Sequence, residues 1–291
     1  MSLPDKRFVC HVGAHVTGAR QVQRYLRDNV DQLERQGLHC VPRALMGKLV
    51  GWGPKLVADP DRFAQELGSA WRSPGIDGVL VSHENTIGRP FGDGGGGLYA
   101  GALPTLEALA GVSEPAQRTV VLSVRPQADF LESYYLQTIS EGAWHTFDDW
   151  LGALDLDDIS WMPLHEQLIA TFGVDAVRVL DFAEVGSDPV AHVREFFRLI
   201  GVDLPADLHV SPVHHPRPSE KGMRMVLAAN PYVRTTDERM GLRAFLQKNF
   251  SDRDYPSPTL LTVEQRAELN DRYGDEYRRL VAAQPVGEAR P

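Results

Sequence analysis

The sequence is poor in cysteine: Cys10 and Cys40 are its only two, each inside an apolar stretch. A disulfide framework is therefore excluded, and both read as reduced, buried thiols. Long hydrophobic runs are missing too, and nothing approaches the roughly 20 apolar residues that a membrane-spanning helix needs. The opening stretch MSLPDKRFVC has no long apolar h-region, so the expected compartment is the cytoplasm. Positive charge is in short supply, with 30 Lys and Arg against 39 Asp and Glu and a net charge of −9. That excludes a broad basic footprint for nucleic acid or an anionic bilayer, while a few converging cations can still hold one small anion. The ten histidines lack metal-site spacing. His11 and His15, four apart, fall across a strand and a loop rather than on one helical face, so no metal is expected. No internal repeat and no Pro- or Ser-rich linker divides the chain. Residues 1–285 are expected to form a single domain, with 286–291 as a frayed tail.

The 43% of residues that are hydrophobic are ordered as strands alternating with helices. Phe8 to Val12 is a short apolar run ending at Gly13, the pattern of a buried parallel strand. Val22, Leu26, Val30 and Leu33 then recur at helical spacing, and Gly37 closes that helix. His39 to Pro42, Gly78 to Ser82, Thr119 to Val124 and Val177 to Asp181 read as further strands. Helices are predicted over Asp61 to Trp71, Leu98 to Leu109, from Pro126 to about Ser140, and from Pro189 to Ile200. Pro126 is expected at the first helical position. Residues 88–97 (GRPFGDGGGG) are too glycine-rich for regular structure and read as a long loop. Beyond Gly201 the pattern is mostly helix and loop. Strand–helix alternation without hairpin signals predicts an α/β fold, a parallel sheet flanked by helices.

The most informative segment is Gly13-Ala-His-Val-Thr-Gly-Ala-Arg20, between the first strand and its helix. A turn so placed faces the unpaired amides and positive dipole end of the helix, which makes it an anion site. As a nucleotide-binding G-x-x-x-x-G-K-[ST] loop it matches both glycines and then fails, with Ala19 in the lysine position and Arg20 in the hydroxyl position. An ATPase or kinase is excluded on that ground.

The stretch FVCHVGAHVTGARQVQRYLRDNVDQLERQGLHCVP resembles the opening of bacterial sulfotransferases, in which a strand enters a G-T-H-K-T-G-T-T-like loop and an amphipathic helix. The resemblance implies a sulfotransferase-like, P-loop-like three-layer fold with a helical C-terminal part. It also implies a loop that cradles the 5′-phosphosulfate of PAPS (3′-phosphoadenosine 5′-phosphosulfate). Gly13, His15, Thr17 and Gly18 match that loop. Val16 replaces its lysine, and Ala19 and Arg20 replace its paired threonines. A valine cannot neutralise charge developing on the bridging oxygen, whereas the fork of Arg20 suits phosphate. Arg20 is equally readable as a solvated helix residue.

Three further fragments extend the resemblance over roughly residues 7–230. In VVLSVRPQADFLESYYLQTI, Arg125 and Ser133 match the pair that holds the 3′-phosphate of the nucleotide. An ion pair of Arg125 with Asp129 or Glu132 is the other reading. VLVSHENTIG resembles the strand end near which the acceptor's base sits, and the resemblance implies Glu84 first and His83 second as that base. Glu84 could instead cap the loop or pair with an arginine. HHPRPSEKGMRMV resembles the segment that closes over the nucleotide, with Arg217, Lys221, Gly222 and Arg224 as phosphate contacts; His214 and His215 are read as loop histidines.

The function so implied is transfer of a sulfuryl group from PAPS, leaving PAP, to a hydroxyl of a small molecule or carbohydrate. No nucleic acid partner, membrane span or metal is called for, and self-association is left open. The other expectation keeps the fold and abandons the chemistry because of Val16: a protein that binds another anion, catalyses a different reaction, or only binds.

Overall fold

The structure, a computed structural model, describes residues 6–92, 97–114, 116–186, 188–206, 208–211 and 217–282. Strand β1 (Arg7–Gly13) is buried along almost its whole length, as a central parallel strand must be. Helices α1 (Ala19–Asp28) and α2 (Val30–Arg35) lead to β2 (Leu38–Cys40). Three helices, α3 (Arg43–Val50), α4 (Pro54–Ala58) and α5 (Pro60–Arg72), precede β3 (Gly78–Ser82), and α6 (Leu103–Ser113) precedes β4 (Gln117–Val124). Then come α7 (Gln127–Ser140), α8 (Phe147–Gly152), α9 (Met162–Phe172) and β5 (Val177–Asp181). The remainder is helical: α10 (Phe182–Val185), α11 (Pro189–Leu199), α12 (Glu220–Ala229), α13 (Thr236–Asn249) and α14 (Val263–Ala282).

The five strands form one parallel sheet in the order β2-β3-β1-β4-β5, with Cys10 registered against Val81 on one side and Val120 on the other. From β1 the chain departs toward β2, and from β4 it departs toward β5. The carboxyl ends of β1 and β4 are therefore the switch point, where α/β sheets place their ligands. The β1–β4 register shifts between His11 and Gly13, a local irregularity at that same end.

The chain divides into two compact units. The unit of residues 1–125, 158–213 and 276–291 carries the sheet. On one face Val9, Leu80, Val121 and Leu180 pack against Val22 and Leu26 of α1 and Val193, Phe196 and Phe197 of α11. Each such side chain contributes on the order of 1.5–3 kcal/mol on burial. On the other face Phe8 meets Phe63 of α5 edge-on, with centroids 6.4 Å apart. The second unit, residues 126–157 and 214–275, is helical. Within it Tyr135 of α7 packs against Phe147 and Trp150 of α8, at 5.1 and 5.5 Å between centroids. Asn230 donates to the carbonyls of Ile139 and Ala143 at 2.7 and 2.6 Å.

Several predicted boundaries shift for local reasons. The helix expected to run through Val30 breaks at Asn29, whose side-chain amide bonds the Tyr25 carbonyl at 2.9 Å and so ends α1. The helix expected from Leu98 starts at Leu103, because Pro104 is tolerated only in a first turn. Pro126 is the N-cap of α7 rather than its first helical residue. Residues 93–96 of the glycine-rich loop, His214, His215 and the 286–291 tail lie outside the described residues.

Candidate active site

β1 delivers the chain to Gly13 at φ +115°, and Gly18, at φ +79°, caps α1. A Cβ on Gly13 would crowd the Glu84 carbonyl at 3.2 Å, and one on Gly18 would collide with the His192 ring at 2.2 Å. Both glycines are thus demanded by backbone conformation and by close approach. Between them the Thr17 hydroxyl donates to the Ala14 carbonyl at 2.7 Å, which spends its proton on closing the loop. No side chain caps α1, and its first turn holds no acidic residue. The helix therefore presents uncapped amides and the positive end of its dipole at the switch point.

The end of β4 reaches this loop directly. Arg125 donates from Nη1 to the Val16 carbonyl at 3.0 Å, and its own carbonyl accepts from the Trp161 indole at 3.0 Å. The guanidinium carbon lies 5.3 Å from the Phe182 ring centroid. Val16 itself is held at φ +53°, an uncommon conformation for a β-branched residue, so the loop is fixed by its surroundings rather than by preference. The two segments singled out in sequence, the loop and the arginine, are in contact. Asp129 and Glu132, the other partners considered for Arg125, are taken by Arg266 at 2.7 and 2.5 Å.

His15 is locked in place by neutral partners. Its backbone N–H donates to the Tyr99 hydroxyl at 2.9 Å, Tyr99 returns its proton to Nδ1 at 2.8 Å, and Nε2 donates to Asn85 Oδ1 at 2.8 Å. Burial pushes its pKa down to about 4, so the ring is neutral near pH 7. Below the loop His11 bridges Ser82 of β3 and Ser123 of β4, at 2.9 and 3.0 Å, and burial lowers its pKa to about 3.

Of the two candidate bases, Glu84 is ion-paired to Arg43 and accepts from Gln23 Nε2 at 2.9 Å. Burial opposes ionisation, but those bonds win and hold the pKa near 2. His83 accepts from the Asn85 backbone N–H at Nδ1, 3.1 Å, which places the proton of its neutral ring on Nε2. Each Glu84 oxygen thus already accepts a hydrogen bond, and the one lone pair of the neutral His83 ring is taken.

No family model matches the chain, and no curated protein matches it. Among solved structures, the crystal structure of a sulfotransferase from Alicyclobacillus acidocaldarius is similar over 84% of this chain and 96% of its own, at 15% identity and a TM-score of 0.46.

The remaining expected site residues separate into two groups. Ala19 is buried at the start of α1, and Arg20 is exposed on its first turn beside the loop. Ser133, buried on α7, and Lys221 and Gly222 of α12 belong to the helical unit. There the Gly222 amide is spent on the Ser219 cap at 3.1 Å, and the Lys221 ammonium lies 4.9 Å from the Phe250 ring and 5.4 Å from Tyr255. Arg224 pairs with Glu220 at 2.5 Å. Trp71 is a core residue bonded to the Arg7 carbonyl, whereas Trp52, 40% exposed, stacks on His15 with Arg89 over its ring. Sequence reasoning missed Tyr99, Phe182 and His192. Each arrives from a distant segment, and none carries a local motif.

Proposed function

We propose that the chain is a sulfotransferase-type enzyme that moves a sulfuryl group from PAPS to a hydroxyl of a small molecule or carbohydrate. The observation that carries this reading is the Arg125–Val16 bond, which joins the β1–α1 loop to the end of β4 at the switch point of the sheet. In this reading the uncapped amides of α1, with Arg20, hold the phosphosulfate. Arg125, at the end of β4, holds the 3′-phosphate. The residues fit such a ligand: α1 presents amides without a side-chain cap, its first turn carries no acidic residue, and the carboxylate of the nearby Glu84 is paired with Arg43. Thr17 braces the loop, and His15 shapes it as a neutral ring. Glu84, held by Arg43 and Gln23, orients the acceptor side instead of taking its proton. Loose group-transfer reactions draw mainly on positioning and charge, so a weak base is no obstacle.

Val16 favours a second reading, in which the same loop binds an anion without transferring from it. Thermal stability with added PAPS or PAP tests the first point, since ligand at 100 times its Kd adds about 2.7 kcal/mol. No shift at millimolar nucleotide would sink the first reading. With binding established, Val16→Lys is expected to raise transfer of labelled sulfuryl to an acceptor panel. A Val16→Lys variant that binds PAPS and remains inert on every acceptor favours the second reading.

A further inference from the structure

Gly18 has no side chain, and the space beside it is filled from another helix. The edge of the His192 ring, from α11, lies where a Gly18 side chain would begin, with Cε1 and Nδ1 at 2.2 and 2.7 Å from an ideal Cβ. His192 is 1% exposed, and its Nε2 has no hydrogen-bond partner among the described residues. A buried polar atom left unpaired in a folded protein calls for an explanation. Here the atom belongs to a ring pressed against Gly18, the N-cap glycine of a helix whose amides have no side-chain cap.

The groups around the ring leave its charge uncompensated. Phe182 packs edge-on at 5.4 Å and carries Arg125 5.3 Å from its ring centroid. His192 in turn opposes protonation of the nearby His11 of β1. On the α1 side Arg20 is exposed at the first turn. Asp188, one turn earlier on α11, is spent on capping Val190 and Ala191. Asp181, just before α10, accepts from Tyr277 and from the Ala183 amide.

We propose, on the reading that the β1–α1 loop binds the phosphosulfate end of PAPS, that His192 takes up a proton as that anion binds and so supplies the positive charge that Val16 cannot. Burial holds its pKa near 4, so the ring is neutral near pH 7 before ligand arrives. An anion at the α1 amides favours the imidazolium and raises that pKa. The proton comes from solvent, and no bond in protein or ligand is broken. Affinity then falls about tenfold per pH unit between the free-state pKa and the raised bound-state one, and is flat above the latter.

Calorimetric titration of the intact chain with PAPS, at about pH 6 in two buffers of different ionisation enthalpy, counts the protons taken up. The wild type is expected to take up as much as one proton more than His192→Gln, the ligand's own titration being common to both. Equal counts with PAPS bound would overturn the inference and leave the PAPS reading standing. No binding by the wild type would overturn both. Should His192→Gln not fold, the His192 ε1 proton resonance of the wild type decides the matter. Its move to the imidazolium position on saturation with PAPS supports the inference, and an unmoved resonance overturns it.

Discussion

Acid is expected to unfold this protein through three histidines buried in the neutral state. Burial holds His11 near 3 and both His15 and His192 near 4, against an ordinary value of 6.5. The folded pKa lies below the unfolded one, so the unfolded chain binds protons first. Stability from these groups is complete well above pH 6.5, erodes as pH falls through that value, and stops eroding only near the folded pKa values. At pH 5 each histidine has lost about 2 kcal/mol, taking 1.36 kcal/mol per unit, and the three together about 6 kcal/mol. That is a large part of the roughly 5–15 kcal/mol by which a typical domain is stable. Glu84 acts in a different window: with a folded pKa near 2 against 4.5, its contribution is lost only between those values. Thermal unfolding at a series of pH values from about 8 to 5 should therefore show a Tm that is level, then drops steeply below about 6.5. His15→Gln, which can keep a bond to Asn85, is expected to flatten the slope by about a third. A Tm unchanged between pH 7 and 5 would refute the assignment of these rings as buried neutral groups.

Gly18→Ala is expected to cost about 2–4 kcal/mol in urea unfolding, from the left-handed backbone and the clash with the His192 ring. Adding His192→Ala should recover part of that loss, and strictly additive losses would show that the ring is not the obstacle. Glu84→Gln should cost only about 1–2 kcal/mol, because Arg43 across the pair is 44% exposed and water replaces much of the lost attraction. The same variant should lose the stability step between pH 4.5 and 2, read from acid unfolding.

The strands were legible because each is a short apolar run bounded by a turn residue: GVLVS and VRVLD are β3 and β5 at the bounds read from sequence. Helix ends were less legible, since Asn29 and Pro104 act through one local bond or clash inside otherwise periodic stretches. The short helices α3 and α4 went unread, because Gly51, in a left-handed C-cap, and Gly53 interrupt any period before it repeats. In the site, the loop and Arg125 were visible because glycines and a strand end leave marks in the sequence. Charge state was not visible. His15 and Glu84 look like ordinary titrating residues until burial sets one neutral and Arg43 and Gln23 hold the other ionised.

Gly18 shows the limit most clearly. In sequence it is one of two glycines in a turn, and its conformation is sufficient reason for it. In the structure it has a second reason, the imidazole of a helix far along the chain, brought there because α1 and α11 cover the same face of the sheet. The apolar residues that hold those helices together, Val22 and Leu26 against Val193, Phe196 and Phe197, were read as core alone. They also fix a histidine against the cap of the anion-seeking helix. A description of the site that stops at the β1–α1 loop, with Val16 where the resemblance puts a lysine, is therefore incomplete, since the charge proposed for it comes from a neighbouring helix on the same face of the sheet.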